Sequence, residues 1–499
     1  MQIKPIYKVL YQTADPVSYL NNLKEGPYAC LLESADVIEK YGDKSIGCVD
    51  PCLRIIIKDG TFTITALTDT GKTFLPYLKE KLTFTTITAT TTTITGTIHQ
   101  ETRLQDEEAR LRNKNIFHIL RTIAFALTPT ETLPVPHAGL MGAISYDTIE
   151  QFETLPEQAA TTIPDLEFYY ADKLFVMDHI NEKTYLICNT LGTRTSDYTT
   201  CKETITKYER ILKTTRPYTI PTPQSTTASV NIPDKEFGKK VDVLKKHITN
   251  GDIFQCVLSR TFTVQTAETP LDVYARLKTI NPGPYMFYFA NEDRVLLGSS
   301  PETCLKVSNN IVEIKPIAGT VPRGATKEAD SREELNLLLD EKELAEHCML
   351  VDLARNDIAK VATPGTRTTP YLLEVEKFSH VQHLVSTVRG ELKEGYDALH
   401  AYVATMNMGT LTGAPKIKAM ELIRKYEGEK RGHYGGAICY LTPNGEFDSC
   451  IVIRAITMEN GTATVRAGAG IVYDSDPAKE ADETRRKAQA CLTALGVNT

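Results

Sequence analysis

Two acidic pairs set the chemical question. In KELAEHCMLVDLARND (342–357), Glu343 and Glu346 lie three residues apart, with Leu350 and Val351 following close to the same helical face. Carboxylates beside an apolar stripe need a compensating charge. In DPAKEADETRRKAQACLTALG (476–496), Glu480 and Glu483 repeat the spacing, and Lys487 follows one turn on. Four carboxylates from two helices repel one another unless a hard divalent cation lies among them, and oxygen ligands without Cys or His point to Mg²⁺ rather than zinc. Two solvated helix faces making contacts with lysines fit the same spacing. Spacing alone does not choose.

Other segments suit small anions. AGAG (467–470) ends a β-rich stretch, where bare backbone N–H groups can approach a carboxylate. GTLTGAPKIKAM (409–420) gathers Thr412, Gly413 and Lys416 around a Pro-marked helix start. Arg454 reads as a strand residue in CIVIRAIT, opposite in phase to Ile451 and Ile453, and suits either the surface or a buried carboxylate partner. HVQHLVSTVRG carries His380 and His383, each equally compatible with a packing role. With no nucleophile elbow or P-loop, these groups suit a small polyanion held partly through Mg²⁺.

The elements that must position them are mixed. Asn444-Gly445 and Asn460-Gly461 punctuate β-rich segments as turns of an antiparallel meander. Asp476, Pro477 and Gly496 mark the ends of the last helix, and Ser331 with Glu334 forms a capping-box pattern for an earlier one. Thr-rich TFTTITATTTTITGTIH (83–99) suits strands. The expectation is an α+β fold with large antiparallel β-sheets forming a sandwich flanked by helices. Residues 1–213 and 235–499 form two regions, joined by a Thr/Pro/Ser-rich crossing at 214–234. A net charge of −7 without a basic patch argues against nucleic acid or an anionic membrane as partner. The start lacks a secretory h-region, no apolar run approaches spanning length, and eleven cysteines without a zinc spacing suit a reducing compartment, so a cytoplasmic protein is expected.

The ordered motifs GDIFQCVLSR, GSSPET, PIAGTVPRG, KELAEHCMLVDLARND, HVQHLVSTVRG, TLTGAPKIKAMELI, GHYGGAICY and AGAGIVYDSDPAKEADETRRKA resemble those of the chorismate-utilising enzymes across 235–495. LLESAD (31–36), VDPCLR (49–54) and TRLQDEEARLR (102–112) are similar to the large subunit of anthranilate synthase. The resemblance implies that Glu346 and Glu483 ligate Mg²⁺, with Glu343 and Glu480 around it. It further implies that Gly319, Thr320, Tyr434, Arg454, Gly468, Ala469, Gly470 and Lys487 form the chorismate site. Glu302, His383, Gln255 and Thr412 are its expected catalytic set.

Two positions discriminate among the family's reactions. Aminodeoxychorismate synthases carry a potentially nucleophilic lysine where this chain has Ala318, and isochorismate synthases carry a water-activating lysine where it has Gln255. Both favour anthranilate synthase over an aminodeoxychorismate synthase, and retention of Glu302, His383 and the metal glutamates disfavours a non-catalytic tryptophan-sensing relative. The chain shows no GxCxGHQ signature, so the resemblance implies a separate glutamine amidotransferase subunit supplying ammonia. Glu33, Ser34, Pro284, Tyr285 and Met286 correspond to the family's site for tryptophan as inhibitor, with Gly283 where relatives commonly carry serine.

Overall fold

Alternate residues of the central strands enter different cores. In Ala29–Glu33, Cys30 packs into one cluster and Leu31 into another; in Tyr285–Ala290, Phe287 and Phe289 join the first cluster while Met286 and Tyr288 join the second. The first cluster also takes Met141, Tyr169 and Ile438 from a different sheet, so it is the core between two sheets. The second lies on the outer face of one sheet beneath helices such as Pro16–Leu23, Pro270–Ile280 and Pro477–Ala494. The largest cluster covers the outer face of the other sheet beneath Phe117–Phe125 and Glu341–Val361. This is the expected α+β sandwich flanked by helices.

The structure, a computed structural model, describes residues 1–35, 44–98, 106–191, 195–377 and 381–497. His380 and the ends of the sequence segments 31–36, 83–99 and 102–112 lie outside the described residues. Among the described residues the two sheets have 13 strands each. Both draw strands from either side of the 214–234 crossing. In one, Tyr285–Ala290 pairs antiparallel with Ala29–Glu33; in the other, Ala437–Leu441 pairs antiparallel with Gly139–Ile144. The Thr-rich segment forms strands Ile87–Ala89 and Thr93–Thr97. No helix of the described residues is long and apolar enough to cross a membrane.

Two local expectations are corrected. The Asn-Gly turns do join hairpins, but Ala437–Leu441 with Phe447–Ile451 lies in one sheet and Ala455–Glu459 with Thr462–Ile471 in the other. Arg454 is therefore not a strand residue. It stands where the chain crosses between sheets, in a left-handed conformation (φ +50°). The alternation of Ile451 and Ile453 imitates a strand because both pack in the same core, Ile451 as the last strand residue and Ile453 within the connecting segment. Ser331 does not start a helix either: Thr326 caps Lys327–Leu339, and Asp340 caps a second helix, Glu341–Val361.

Candidate active site

The Asp340 cap fixes the first acidic pair. Its carboxylate accepts from the backbone N–H groups of Lys342 and Glu343 at 2.9 and 3.1 Å, which puts Glu343 in the first turn and Glu346 in the second. Asp476 does the same for the last helix, accepting from Ala478 and Lys479 at 3.0 and 2.9 Å. That helix packs along the strand Thr462–Ile471, and Lys487 Nζ donates to the Gly468 carbonyl at 3.1 Å while pairing with Glu483 at 2.6 Å.

All four glutamates line one cavity of about 340 Å³, together with Glu302, Gln255, Gly319, Thr320, His383, Tyr434, Arg454, Gly468, Gly470 and Lys487. Two helices far apart in sequence thus face a common space. Burial raises the pKa of Glu346 to about 6, Lys342 opposes the shift, and Glu343, Glu480 and Glu483 add to it by repulsion. Glu343 and Glu480 are raised too, again chiefly by burial. Among the described residues no three His, Cys, Asp or Glu side chains close on one point as a finished ligand cage. Carboxylates bordering a cavity suit Mg²⁺, which takes one or two of them and completes its shell with water and substrate oxygens.

Glu302 is the other perturbed acid. Buried beside the crossing that carries Arg454, its carboxyl is pushed up to about 7 by desolvation. The Thr410 hydroxyl, buried and without a full hydrogen bond of its own, lies beside it and pulls weakly the other way, as do Arg454 and Lys487. His383 Nδ1 contacts the Gly319 carbonyl at 2.8 Å and Thr320 Oγ1 at 3.1 Å. A carbonyl only accepts, so Nδ1 carries the proton and Nε2 is the basic nitrogen. Burial lowers the imidazole pKa and keeps it neutral.

The glycines give the cavity its backbone surface. Gly319 has φ +67°, and a Cβ there would meet Glu343 Oε2 at 3.2 Å. A Cβ on Gly468 would meet the Tyr434 hydroxyl at 2.8 Å, and one on Gly470 would meet Gln255 Nε2 at 2.7 Å. Gln255 Oε1 is buried without a hydrogen-bond partner.

Two expected site residues do not reach this cavity. Thr412 is fully buried, with its hydroxyl donating to the Met408 carbonyl at 3.0 Å. Ala469 alternates away from Gly468 and Gly470 and packs in a small core with Leu258 and Ala481. Lys416, singled out with Thr412, is spent on Asp357 at 2.6 Å and the Thr405 carbonyl at 2.8 Å. Thr410 and Lys342 line the cavity and were missed; the i,i+4 spacing of Lys342 to Glu346 was a readable signal, while the choice of Thr410 over Thr412 depends on a short 3-10 turn.

A second cavity, about 680 Å³, is lined by Glu33, Ser34, Pro284, Tyr285 and Met286. Strand pairing brings them together, with Met286 directly opposite Glu33. Glu33 accepts from Tyr274 Oη at 2.6 Å, Lys278 Nζ at 2.5 Å and Ser45 Oγ at 3.4 Å. The Ser34 hydroxyl is buried and unpartnered. Tyr285 Oη reaches Thr303 Oγ1 at 3.0 Å and Asp448 Oδ1 at 3.1 Å. Lys44, Tyr440 and Asp448 also line this space; their approach depends on pairing between strands far apart in sequence, so no local pattern marked them.

Known proteins resemble the whole chain. A family model described as chorismate binding enzyme matches residues 75–493. Anthranilate synthase component 1 of Vibrio parahaemolyticus is 43% identical over 97% of this chain and 91% of its own length. The solved anthranilate synthase component I of Streptococcus pneumoniae superposes with a TM-score of 0.72 at 31% identity, covering 90% of this chain and 92% of that one. The menaquinone-specific isochorismate synthase of Escherichia coli shares the fold, with a TM-score of 0.69 at 18% identity over 99% of this chain and 94% of that one.

Proposed function

This chain belongs to the chorismate-binding enzyme family, and from that premise we propose that it is the large subunit of an anthranilate synthase, a lyase converting chorismate and ammonia to anthranilate and pyruvate. The observation that carries the reading is a single cavity uniting four carboxylates, a guanidinium, glycine backbone and a carboxyl group held near pKa 7. Chorismate is a dianion, and Arg454, Lys487 and the backbone at Gly319, Thr320, Gly468 and Gly470 are the donors its carboxylates need. Mg²⁺, with Glu346 and Glu483 as ligands and Glu343 and Glu480 around it, would neutralise one substrate carboxylate.

Glu302 is the acid in this scheme. Ammonia adds at ring carbon 2 while Glu302, protonated because its burial raises its pKa, gives its proton to the departing hydroxyl at carbon 4. Loss of pyruvate then aromatises the ring, and the neutral His383, with Nε2 unprotonated, is placed in the same cavity to take a proton. Gln255 favours ammonia as the nucleophile: its unpartnered Oε1 can accept from an N–H, whereas an amide cannot deprotonate water. Ala318, in the cavity wall, offers no side-chain nucleophile to divert the reaction.

We further assign catalysis to 235–499, the tryptophan-binding element to 1–213 acting across the second cavity, and ammonia supply to a glutamine amidotransferase partner in the cytoplasm. Tryptophan inhibits by binding better to an inactive arrangement than to an active one. The test is product identification: chain, chorismate, Mg²⁺ and ammonium should yield fluorescent anthranilate. A non-fluorescent 4-amino product would transfer the chain to the aminodeoxychorismate synthases.

A further inference from the structure

Behind the cavity, outside its lining, lies a buried polar knot. Glu427 is wholly enclosed (side chain 0% exposed) yet charged, with Arg431 and Arg466 as partners at 2.6 and 2.7 Å. Its Oε1 also accepts from the backbone N–H and the hydroxyl of Ser259, both at 2.7 Å. Arg431 is equally enclosed, its side chain 1% exposed. Beyond two hydrogen bonds to Glu427, it donates from Nη1 to the Leu411 carbonyl at 2.6 Å and from Nη2 to the Val257 carbonyl at 2.7 Å. Its guanidinium also stands 5.5 Å from the Tyr434 ring centroid and 4.6 Å from that of Tyr146.

Leu411, Val257 and Tyr434 all line the cavity, and each comes from a different segment of the chain. Leu411 directly follows Thr410, the hydroxyl beside Glu302. Ser259, held by Glu427, pairs with Gly468 in the sheet, and Arg466 on the same strand as Gly468 closes the ring through Ser259 Oγ at 2.8 Å. One guanidinium therefore spans two carbonyls, a carboxylate and a ring face, a set only a planar fork can satisfy at once. Burying an ion pair for stability alone is a weak use of it, since apolar packing of the same volume often does as well.

We propose that Arg431 is a positioning residue for the reaction, fixing from behind the relative placement of Val257, Leu411 and Tyr434 and so the shape of the wall that receives the ring of chorismate. The inference rests on the anthranilate synthase reading. It predicts what a purely structural salt bridge would not: a defect in catalysis by molecules that are fully folded. Arg431→Lys keeps the charge but cannot reach both carbonyls and Glu427 together. The paired change Glu427→Gln with Arg431→Gln removes both charges, and Arg466, the other partner of Glu427, keeps Glu429 as its carboxylate at 3.0 Å.

Both variants and the parent are assayed for anthranilate from chorismate, Mg²⁺ and ammonium, with near-ultraviolet circular dichroism as the check on folding. The parent's own turnover tests the functional reading separately: if it makes no anthranilate, that reading fails whatever the variants do. If the parent is active, folded variants should lose at least about tenfold in kcat/KM, in keeping with small misplacements of reacting groups. The alkaline limb of their pH profile should also move upward as Thr410 withdraws from Glu302. Folded variants with parental kcat/KM and pH profile, or failure of both variants to fold, would make Arg431 a structural residue and overturn the proposal.

Discussion

The two cavities lie along the same pair of strands and differ in how their charges are settled. Thr303–Ser308 and Phe447–Ile451 are hydrogen-bonded neighbours, and Thr303, Lys306, Asp448 and Cys450 from them line the larger cavity. Just beyond their ends, Glu302 and Arg454 line the smaller one. In the larger cavity Glu33 is answered by Tyr274, Lys278 and Ser45 and Glu313 by Arg389, while Asp448 accepts from Tyr285 yet is still raised by burial. In the smaller one, Glu346, Glu343, Glu480 and Glu302 are all held above their ordinary pKa by burial that nothing fully offsets. On the proposed reading, the cluster of unanswered carboxyls is where a metal and a dianion would complete the site, and the more fully paired cavity suits a ligand with no large net charge, as tryptophan is.

The sharpest way to break that contrast is to remove a proposed metal ligand. Glu483→Ala should leave folding and tryptophan binding intact while lowering Mg²⁺-dependent turnover by about 10⁴-fold or more, corresponding to several kcal/mol of lost charge stabilisation. Parental turnover would exclude Glu483 as a ligand. Glu302→Gln should cost about 10³-fold in kcat, within the range for a general acid. The parent's dependence on this group should be present below about pH 7 and lost as the pH rises through it, because the acid must be protonated. In the variant that limb should vanish, and a limb that persists would assign it to another group.

Gentler changes sharpen the comparison from the other cavity. Ser34→Leu fills space around a buried, unpartnered hydroxyl, so the tryptophan concentration for half-inhibition should rise at least about tenfold, with uninhibited turnover within about twofold. An unchanged inhibition curve would remove Ser34 from the pocket. The smallest effect is thermal. The Glu346 carboxyl binds its proton more tightly folded than unfolded, so its contribution to stability falls as the pH rises from about 4.5 to about 6 and stays lost above that. Screening limits this to about 1 kcal/mol. Mg²⁺ at pH 8 should recover it as a rise in Tm of about 1–2 °C, and the rise should be absent in Glu346→Gln.

Much of the active site was legible because it is local. Helical spacing and the Asp476–Pro477 start put Glu480, Glu483 and Lys487 on one face, and the glycine run marked a segment of which Gly468 and Gly470 border the cavity. The sandwich was legible from alternation and turns, but the order of strands was not, because Ala29–Glu33 meets Tyr285–Ala290 across more than half the chain. Arg454 reads as a strand residue because two isoleucines packed in one core just before an inter-sheet crossing imitate strand alternation. Thr412 lies two positions from the cavity-lining Thr410, and Ala469 one position from Gly468 and Gly470, since a turn or a strand reverses a side chain within one or two residues.

The central claim is that the Glu341–Val361 and Pro477–Ala494 helices together furnish one metal site at the cavity where chorismate is converted. The most direct measurement is binding of Mn²⁺, as a paramagnetic substitute for Mg²⁺, to the parent, Glu346→Ala and Glu483→Ala proteins in the presence of anthranilate and pyruvate. One bound Mn²⁺ per parent chain, lost in both variants and displaced by excess Mg²⁺, is the predicted result. Retention of that ion by either variant would contradict the account.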